Sequence, residues 1–285
     1  MIGASTYPFL AAPGPVGFAH RGGAEEAPEN TLPAFQAAYD RGYRYMETDV
    51  HLTRDGVLMA FHDDRLERVT SDRGHIRTLT AQQVEAADAG FHFAGPSGGG
   101  DRPFRGRGIT IPRLETLLEV LPGALFNIDA KDDRCVAPLI ALIRRLNVVD
   151  RVCLAAFSDS RIARMRLLGG RRLCVSMGPR MVAAARIGSV IGRIHAGGAG
   201  CIQIPLRQFG VRLVDERLID AAHRAGLAIH VWTINDAPTM NRLLDLGIDG
   251  VMTDRPALLQ RVMAARGLSV VGQPIPREAP TTEGG

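Results

Sequence analysis

A chain of 285 residues is about twice an average domain, and it is also the usual length of a single (β/α)8 barrel, so length admits one or two domains. With 46% hydrophobic and 22% charged residues and a mean hydropathy of +0.01, the composition excludes an intrinsically disordered chain. The net charge of +4 raises nucleic acid as a partner, but the basic residues are scattered. Only short pairs such as Arg144-Arg145 and Arg171-Arg172 occur, and these read as solvated faces, so no nucleic acid is expected. No apolar run approaches the roughly 20 residues that span a bilayer, and the first residues lack the basic leader of a signal peptide. No integral membrane segment and a cytoplasmic setting are therefore expected. Cys135, Cys153, Cys174 and Cys201 lack CxxC spacing and read as buried free thiols in a reducing compartment.

After an N-terminal arm over residues 1–15, short apolar runs alternate with helical stretches. The runs at 16–19, 45–52, 57–61, 125–130, 152–157, 173–177, 201–204, 228–233 and 250–253 read as strands. Helices are expected near 32–41, 114–120, 138–147, 160–168, 180–191, 215–225, 237–245 and 256–266. Such alternation means parallel strands joined by crossover helices. Nine strands are one too many for the barrel. Asp55-Gly56 supplies the solution, because a two-residue turn of this kind makes a hairpin and leaves no room for a helix. The expectation is a TIM (β/α)8 barrel over 16–268 with an extra hairpin strand. Residues 70–112, with SGGGDRPFRGRG at 97–108, read as an insertion that is part helical and part mobile. The tail, 269–285, reads as disordered.

Ligands of parallel barrels sit at the C-terminal ends of the strands. Those ends carry His20-Arg21, Glu47 and Asp49, Asp129 and Lys131, and later Ser158, Gln203, His230, Trp232, Asn235 and Asp254. Glu47 and Asp49 are two apart on one strand and so share a face, as do Asp129 and Lys131. Carboxylates that meet inside a barrel need a cation to stay ionised, and oxygen-only ligands select Mg2+ or Ca2+. His20 and His62 are the candidate acid–base pair. With a two-residue turn, the hairpin would place His62 opposite Asp49. Arg21 and Lys131 add positive charge suited to a phosphate. Lys131 stands out because the other 33 basic residues are all Arg. Glu29 precedes a helix and is assigned to function, whereas Asn30 and Thr31 read equally as helix caps or ligand contacts.

Ala-His-Arg-Gly-Gly, Pro-Glu-Asn-Thr, Glu-Thr-Asp-Val and Phe-His-Asp, in that order, resemble the glycerophosphodiester phosphodiesterase family. Asn-Ile-Asp-Ala-Lys, Val-Trp-Thr-Ile-Asn and Gly-Val-Met-Thr-Asp-Arg-Pro continue the likeness, which runs from Gly17 to Pro256. The resemblance implies a barrel with a small insertion, a divalent cation, and hydrolysis of a small-molecule glycerophosphodiester to glycerol 3-phosphate and an alcohol. By position it makes His20 and His62 the acid–base pair, Arg21 a phosphate binder, and Glu47, Asp49 and Asp129 metal ligands. Asp129 stands where the family often has Glu. Glu29 and Lys131 would lie beside metal and phosphate, with Trp232 among the substrate contacts. Which His is the acid stays open, as does the nucleophile, water or the substrate's own 2-hydroxyl. The alternatives are a lysophospholipase D, with residues 90–96 as an apolar lip, a phosphoinositide-type lyase, and a non-catalytic phosphate-binding barrel.

Overall fold

The computed structural model describes residues 7–95, 100–208 and 210–272. Its strands are Val16–His20 (β1), Tyr45–Leu52 (β2), Leu58–Ala60 (β3), Leu125–Ala130 (β4), Val152–Ala155 (β5), Cys174–Val175 (β6), Cys201–Pro205 (β7), Arg207–Gln208 (β8), Val211–Arg212 (β9), Ala228–Trp232 (β10) and Gly250–Thr253 (β11). The helices are Leu32–Asp40 (α1), Ala81–Glu85 (α2), Leu114–Val120 (α3), Val136–Arg145 (α4), Asp159–Gly169 (α5), Pro179–Gly188 (α6), Glu216–Arg224 (α7), Ala237–Asp245 (α8) and Pro256–Ala265 (α9).

Eight strands run parallel in the order β6-β5-β4-β2-β1-β11-β10-β7, and β3 pairs antiparallel with β2. A parallel bridge from Ser176 to Cys201 joins the two ends of that order. Backbone bonds from Met177 N–H to the Cys201 carbonyl and from Gly200 N–H to the Val175 carbonyl, both 2.9 Å, complete the seam. The architecture is the expected (β/α)8 barrel with one added hairpin strand. The main apolar core lies between strands and helices and draws on nearly every element. Several helices start on side-chain caps: Thr31 for α1, Ser158 for α5, Asp215 for α7 and Asp236 for α8. Thr31 is thus a cap, which settles one of the two readings of that residue.

The hairpin register differs by one from the expected one. Val50 pairs with Ala60, His51 with Met59 and Leu52 with Leu58, so Phe61 N–H, and not His62, meets the Asp49 carbonyl at 3.0 Å. The turn holds three residues, Arg54-Asp55-Gly56, between Thr53 and Val57, and Gly56 takes the left-handed φ of +83° that closes such a loop. Asp55 stays outside the pairing because its carboxylate accepts from Thr53 Oγ1 at 2.6 Å and from Ala81 N–H at 3.0 Å.

Residues 61–113 leave the barrel and fold on a small core of their own. Met59, Phe61, Leu66, Ile76, Val84 and Ile111 pack there, separate from the main core. α2 supplies the expected helical part. Residues 96–99, part of the stretch expected to be mobile, lie outside the described residues, and 103–106 form a turn. The arm closes the bottom of the barrel: Phe9 is fully buried and its carbonyl accepts from the Tyr45 hydroxyl at 3.0 Å. At the other end of the chain, Val270 is buried and its carbonyl accepts from Gly17 N–H at 2.8 Å, so packing continues beyond residue 268. The rest of the expected disordered tail, 273–285, lies outside the described residues. Two elements were not anticipated, the hairpin strands β8 and β9. Among the described residues no helix is long and apolar enough to cross a membrane.

Candidate active site

At the C-terminal ends of the barrel strands lies a cavity of about 620 Å³. His20, Arg21, Glu47, Asp49, His62, Asp129, Lys131 and Trp232 all line it. β1, β2 and β4 are neighbours in the sheet, and their register sets His20 beside Glu47, and Asp49 beside Asp129. Glu47, Asp49 and Asp129 are only 5%, 2% and 6% exposed, which makes their charges costly without partners.

Each histidine is oriented by a carboxylate on Nδ1. His20 Nδ1 lies 2.6 Å from Asp254 Oδ1, and His62 Nδ1 lies 2.5 Å from Asp63 Oδ1. A carboxylate accepts only, so Nδ1 carries the proton in both rings and Nε2 is the second, accepting nitrogen. Nε2 of His20 lies 3.6 Å from Glu47 Oε2. Burial opposes the charged form of His20, but Glu47 and then Asp254 outweigh it and hold its pKa above the ordinary value. Asp254 is itself held by Asn235, which donates to Oδ2 at 2.8 Å and accepts from the Asp254 N–H at 2.9 Å.

Arg21 sits in the tight turn after β1 with a left-handed φ of +51°. The turn needs glycine next: a Cβ on Gly22 would lie 2.7 Å from the Ala34 Cβ and 2.9 Å from the Phe35 nitrogen. This turn aims the guanidinium at Glu29, 3.1 Å away, and at Asp49 Oδ2, 3.1 Å from Nε. The second contact is an ion pair without hydrogen-bond alignment, since Arg21 Nε has no hydrogen-bond partner. Asn30, also left-handed at +56°, donates to Asp49 Oδ2 at 3.1 Å and accepts from Thr48 Oγ1 at 2.7 Å. Asn30 therefore fixes an acid and is not the helix cap.

Lys131 Nζ stands between two acids, 2.7 Å from Asp49 Oδ1 and 2.6 Å from Asp129 Oδ2. Burial works against the Asp49 charge, yet Lys131 and Arg21 hold its pKa below the usual carboxylate range. Glu47 lacks such close cations, and burial, followed by the charge of Asp49, pushes its carboxyl up. Burial first, then Asp49, also raises Asp129 against the pull of Lys131. Asp129 Oδ1 is buried with no hydrogen-bond partner. An all-carboxylate set with a starved oxygen and a destabilised third charge fits a hard divalent cation.

Glu29 does not line the cavity. Its oxygens accept from Arg21 and, at 2.7 and 2.6 Å, from Arg68, so it braces Arg21 from behind. Arg68 also donates to Asp63 at 2.6 Å, tying the His62 support to the Arg21 support. Asp63 and Arg68 were not assigned from sequence. The opposite wall is apolar. Phe157, Met177, Val182, Ile187, Val211 and Leu213 line it, and Phe157 packs edge-on against Trp232 at 5.8 Å. Residues 90–95, the described part of the lip considered for a lysophospholipase D, do not contribute. Phe91 instead lies under Arg105, and Phe93 stacks against Phe104; Pro96 lies outside the described residues.

A barrel carrying paired histidines, buried acids and phosphate-sized positive groups at its strand ends defines a phosphodiester-hydrolase type of site. The model of the glycerophosphoryl diester phosphodiesterase family matches residues 20–258, and the chain belongs to that family of phosphoric diester hydrolases. A probable glycerophosphodiester phosphodiesterase 2 of Mycobacterium tuberculosis is 35% identical over 271 residues, covering 93% of this chain and 97% of its own. The crystal structure of a glycerophosphodiester phosphodiesterase from Agrobacterium tumefaciens superimposes with a TM-score of 0.69 at 28% identity, covering 86% of this chain and 98% of that one. An Oleispira antarctica phosphodiesterase, solved with its product sn-glycerol-3-phosphate, shares the fold with a TM-score of 0.73 at 24% identity, covering 88% of this chain and 97% of that one.

Proposed function

We propose that the protein hydrolyses small glycerophosphodiesters to glycerol 3-phosphate and an alcohol, with His20 and His62 as the acid–base pair. The observation that carries this reading is the convergence of two carboxylate-oriented imidazoles on one cavity, through Asp254 at 2.6 Å and Asp63 at 2.5 Å. One imidazole takes the proton of the attacking oxygen and the other returns a proton to the departing alkoxide. Arg21 and Lys131 bind the phosphoryl oxygens and offset the charge that grows on them. Glu47, Asp49 and Asp129 would hold Mg2+ or Ca2+. When bound, such a cation supplies Lewis-acid stabilisation of phosphoryl charge. Trp232, half-buried beside Phe157, offers a flat face to the glycerol or alcohol group. The four free cysteines support a reducing, cytoplasmic setting.

The test is turnover of glycerophosphocholine, glycerophosphoethanolamine and lysophosphatidylcholine after EDTA treatment, with Mg2+, Ca2+ or Mn2+ restored singly. Release of glycerol 3-phosphate that stops on chelation and returns with metal is expected. Activity indifferent to chelation overturns the cation assignment, and accumulation of cyclic glycerophosphate as the final product points to a lyase instead. The apolar wall favours one second reading, that lysophospholipids are also substrates. Their acyl chain would lie along Val182, Ile187 and Val211, and lysophosphatidylcholine turnover in the same panel decides it.

A further inference from the structure

Inside the barrel, on the side away from the cavity, three cysteines from three consecutive strands meet. Cys153 of β5 pairs in register with Cys174 of β6, and Cys201 of β7 reaches them through the strand seam. Their Sγ atoms all lie within 4.8 Å of one another, and Cys153 and Cys201 are 3.8 Å apart. All three are at most 1% exposed. Phe18, Tyr45 and Met252 surround them in an apolar plug. The N-terminal arm seals the plug from below: a Cβ on Gly200 would lie within 3.0 Å of Tyr7, Leu10 and Cys174 Sγ at once.

One polar chain enters this plug from above. Gln203 Nε2 donates to Asn127 Oδ1 at 2.8 Å and faces His230 Nδ1 at 3.3 Å. An amide nitrogen only donates, so His230 Nδ1 accepts and Nε2 carries the proton. That side of the ring faces Cys201, whose sulfur lies 3.8 Å from Cys153 Sγ, with either thiol able to donate.

We propose that Cys153, Cys174 and Cys201 form a buried three-sulfur site for a thiophilic closed-shell cation, with monovalent copper as the best match. The size fits. The Cys153–Cys201 edge is 3.8 Å and every edge is within 4.8 Å; an equilateral triangle of the shorter edge would set a central cation about 2.2 Å from each sulfur, near the ~2.3 Å of a zinc–thiolate bond, so the wider edges need only a small inward shift. The donor count selects copper over zinc. Among the described residues no fourth His, Cys, Asp or Glu ligand atom lies within 4.8 Å of all three sulfurs, His230 approaching Cys201 alone, whereas structural zinc takes four ligands. Soft thiolates select Cu(I), and binding releases thiol protons to solvent. The site is distinct from the carboxylate cluster in both place and chemistry, with soft sulfur below and hard oxygen above.

The test uses the full chain, reduced, metal-free and anaerobic, titrated with Cu(I) in competition with bicinchoninate. One copper per chain is expected, with sulfur-to-copper absorption in the near ultraviolet. Cys201→Ala and Cys174→Ala should each lower retained copper at least tenfold. Cys135→Ala, which alters the one cysteine outside the cluster, should keep it. Far-UV circular dichroism establishes that each variant is folded. If a cluster variant does not fold, copper-edge X-ray absorption of the wild type decides: three sulfurs near 2.3 Å sustain the proposal, and nitrogen or oxygen neighbours overturn it. Failure to retain Cu(I), or equal retention by Cys201→Ala, shows that the three thiols only fill space.

Discussion

On one side of the cavity, β1, β2 and β4 present His20, Arg21, Glu47, Asp49, Asp129 and Lys131, nearly all tied to at least one named partner. On the other side, α6 and the segment from β7 to β9 present Val182, Ile187, Val211 and Leu213, which have no comparable ties. Ile187 is 74% exposed and Val211 60%, against 2% for Asp49. The difference follows from what each wall has to resist. Buried charges hold their places only through directed contacts, so the polar wall is interlocked from Asp49 through Asn30 to Thr48, and from Glu29 through Arg68 to Asp63. Apolar groups gain by being covered from any direction, so the second wall can take varied alcohol groups without a fixed geometry. On the proposed reading, chemistry would reside in the interlocked wall and substrate choice in the apolar one.

The sharpest way to break this division is through the histidines. His20→Ala and His62→Ala should each lower kcat on glycerophosphocholine by roughly 10²–10⁴, with folding intact by circular dichroism. Near-wild-type turnover by His62→Ala would remove it from the polar wall's chemistry. Next comes Lys131. The bulkier planar guanidinium cannot take the place of an ammonium lodged between Asp49 and Asp129, so Lys131→Arg should lower kcat/KM at least tenfold, or about 1.4 kcal/mol. Wild-type kinetics for this variant would mean that only charge matters there.

The loose wall predicts a smaller, substrate-dependent effect. Ile187→Asp with Val211→Asp should leave kcat/KM for glycerophosphocholine within about twofold. The same pair should lower kcat/KM for lysophosphatidylcholine about fivefold or more, because roughly 1 kcal/mol of acyl-chain burial no longer forms. Equal losses on both substrates would show that the walls are not separate. The smallest effect belongs to a histidine–carboxylate pair outside the cavity. His223 Nε2 lies 2.9 Å from Asp249 Oδ2, and this hydrogen bond raises the His223 pKa. Folded-state protonation then stabilises the protein fully below the unfolded histidine pKa, and the gain is lost as pH rises through the folded value. His223→Gln should therefore cost stability at pH 5.5 and little at pH 8.5, by under about 1 kcal/mol because solvent screens the pair. Urea midpoints at the two pH values measure it, and an equal cost at both would locate the effect in packing.

Much of this was legible in the chain because short-range patterns carry it. Alternating strands and helices gave the barrel, and the Asp55-Gly56 turn identified the odd strand. The loop's third residue was not legible: whether Arg54 pairs or turns depends on Asp55 being drawn away to Ala81, a tertiary contact. β8 and β9, two residues each, are too short to show alternation. Strand-end position brought His20, Glu47, Asp49, Asp129 and Lys131 to one cavity, as expected. The orienting partners were harder, since Asp254 is 234 residues from His20 and Arg68 is 39 from Glu29. Barrel closure held a usable signal for the first, because the last strand must lie beside the first. No spacing rule points to Arg68. The two Phe of 90–96 read in sequence either as a lip for an acyl chain or, more often in an insertion, as packing, and packing is what they do; the apolar wall itself, drawn from α6 and the stretch around β9, left no pattern to read.

The small core beneath residues 61–113 gives the proposed catalytic pair an uneven footing. His20 rises from a barrel strand backed by the main core, whereas His62, Asp63 and Arg68 belong to a segment resting on the satellite cluster around Phe61, Leu66 and Ile76. Such a unit opens at lower free energy than the barrel around it. Heat or denaturant would then unseat one proton carrier while the other stays in place. The enzyme would fall silent as a folded barrel, its activity fading in a transition of its own ahead of global unfolding.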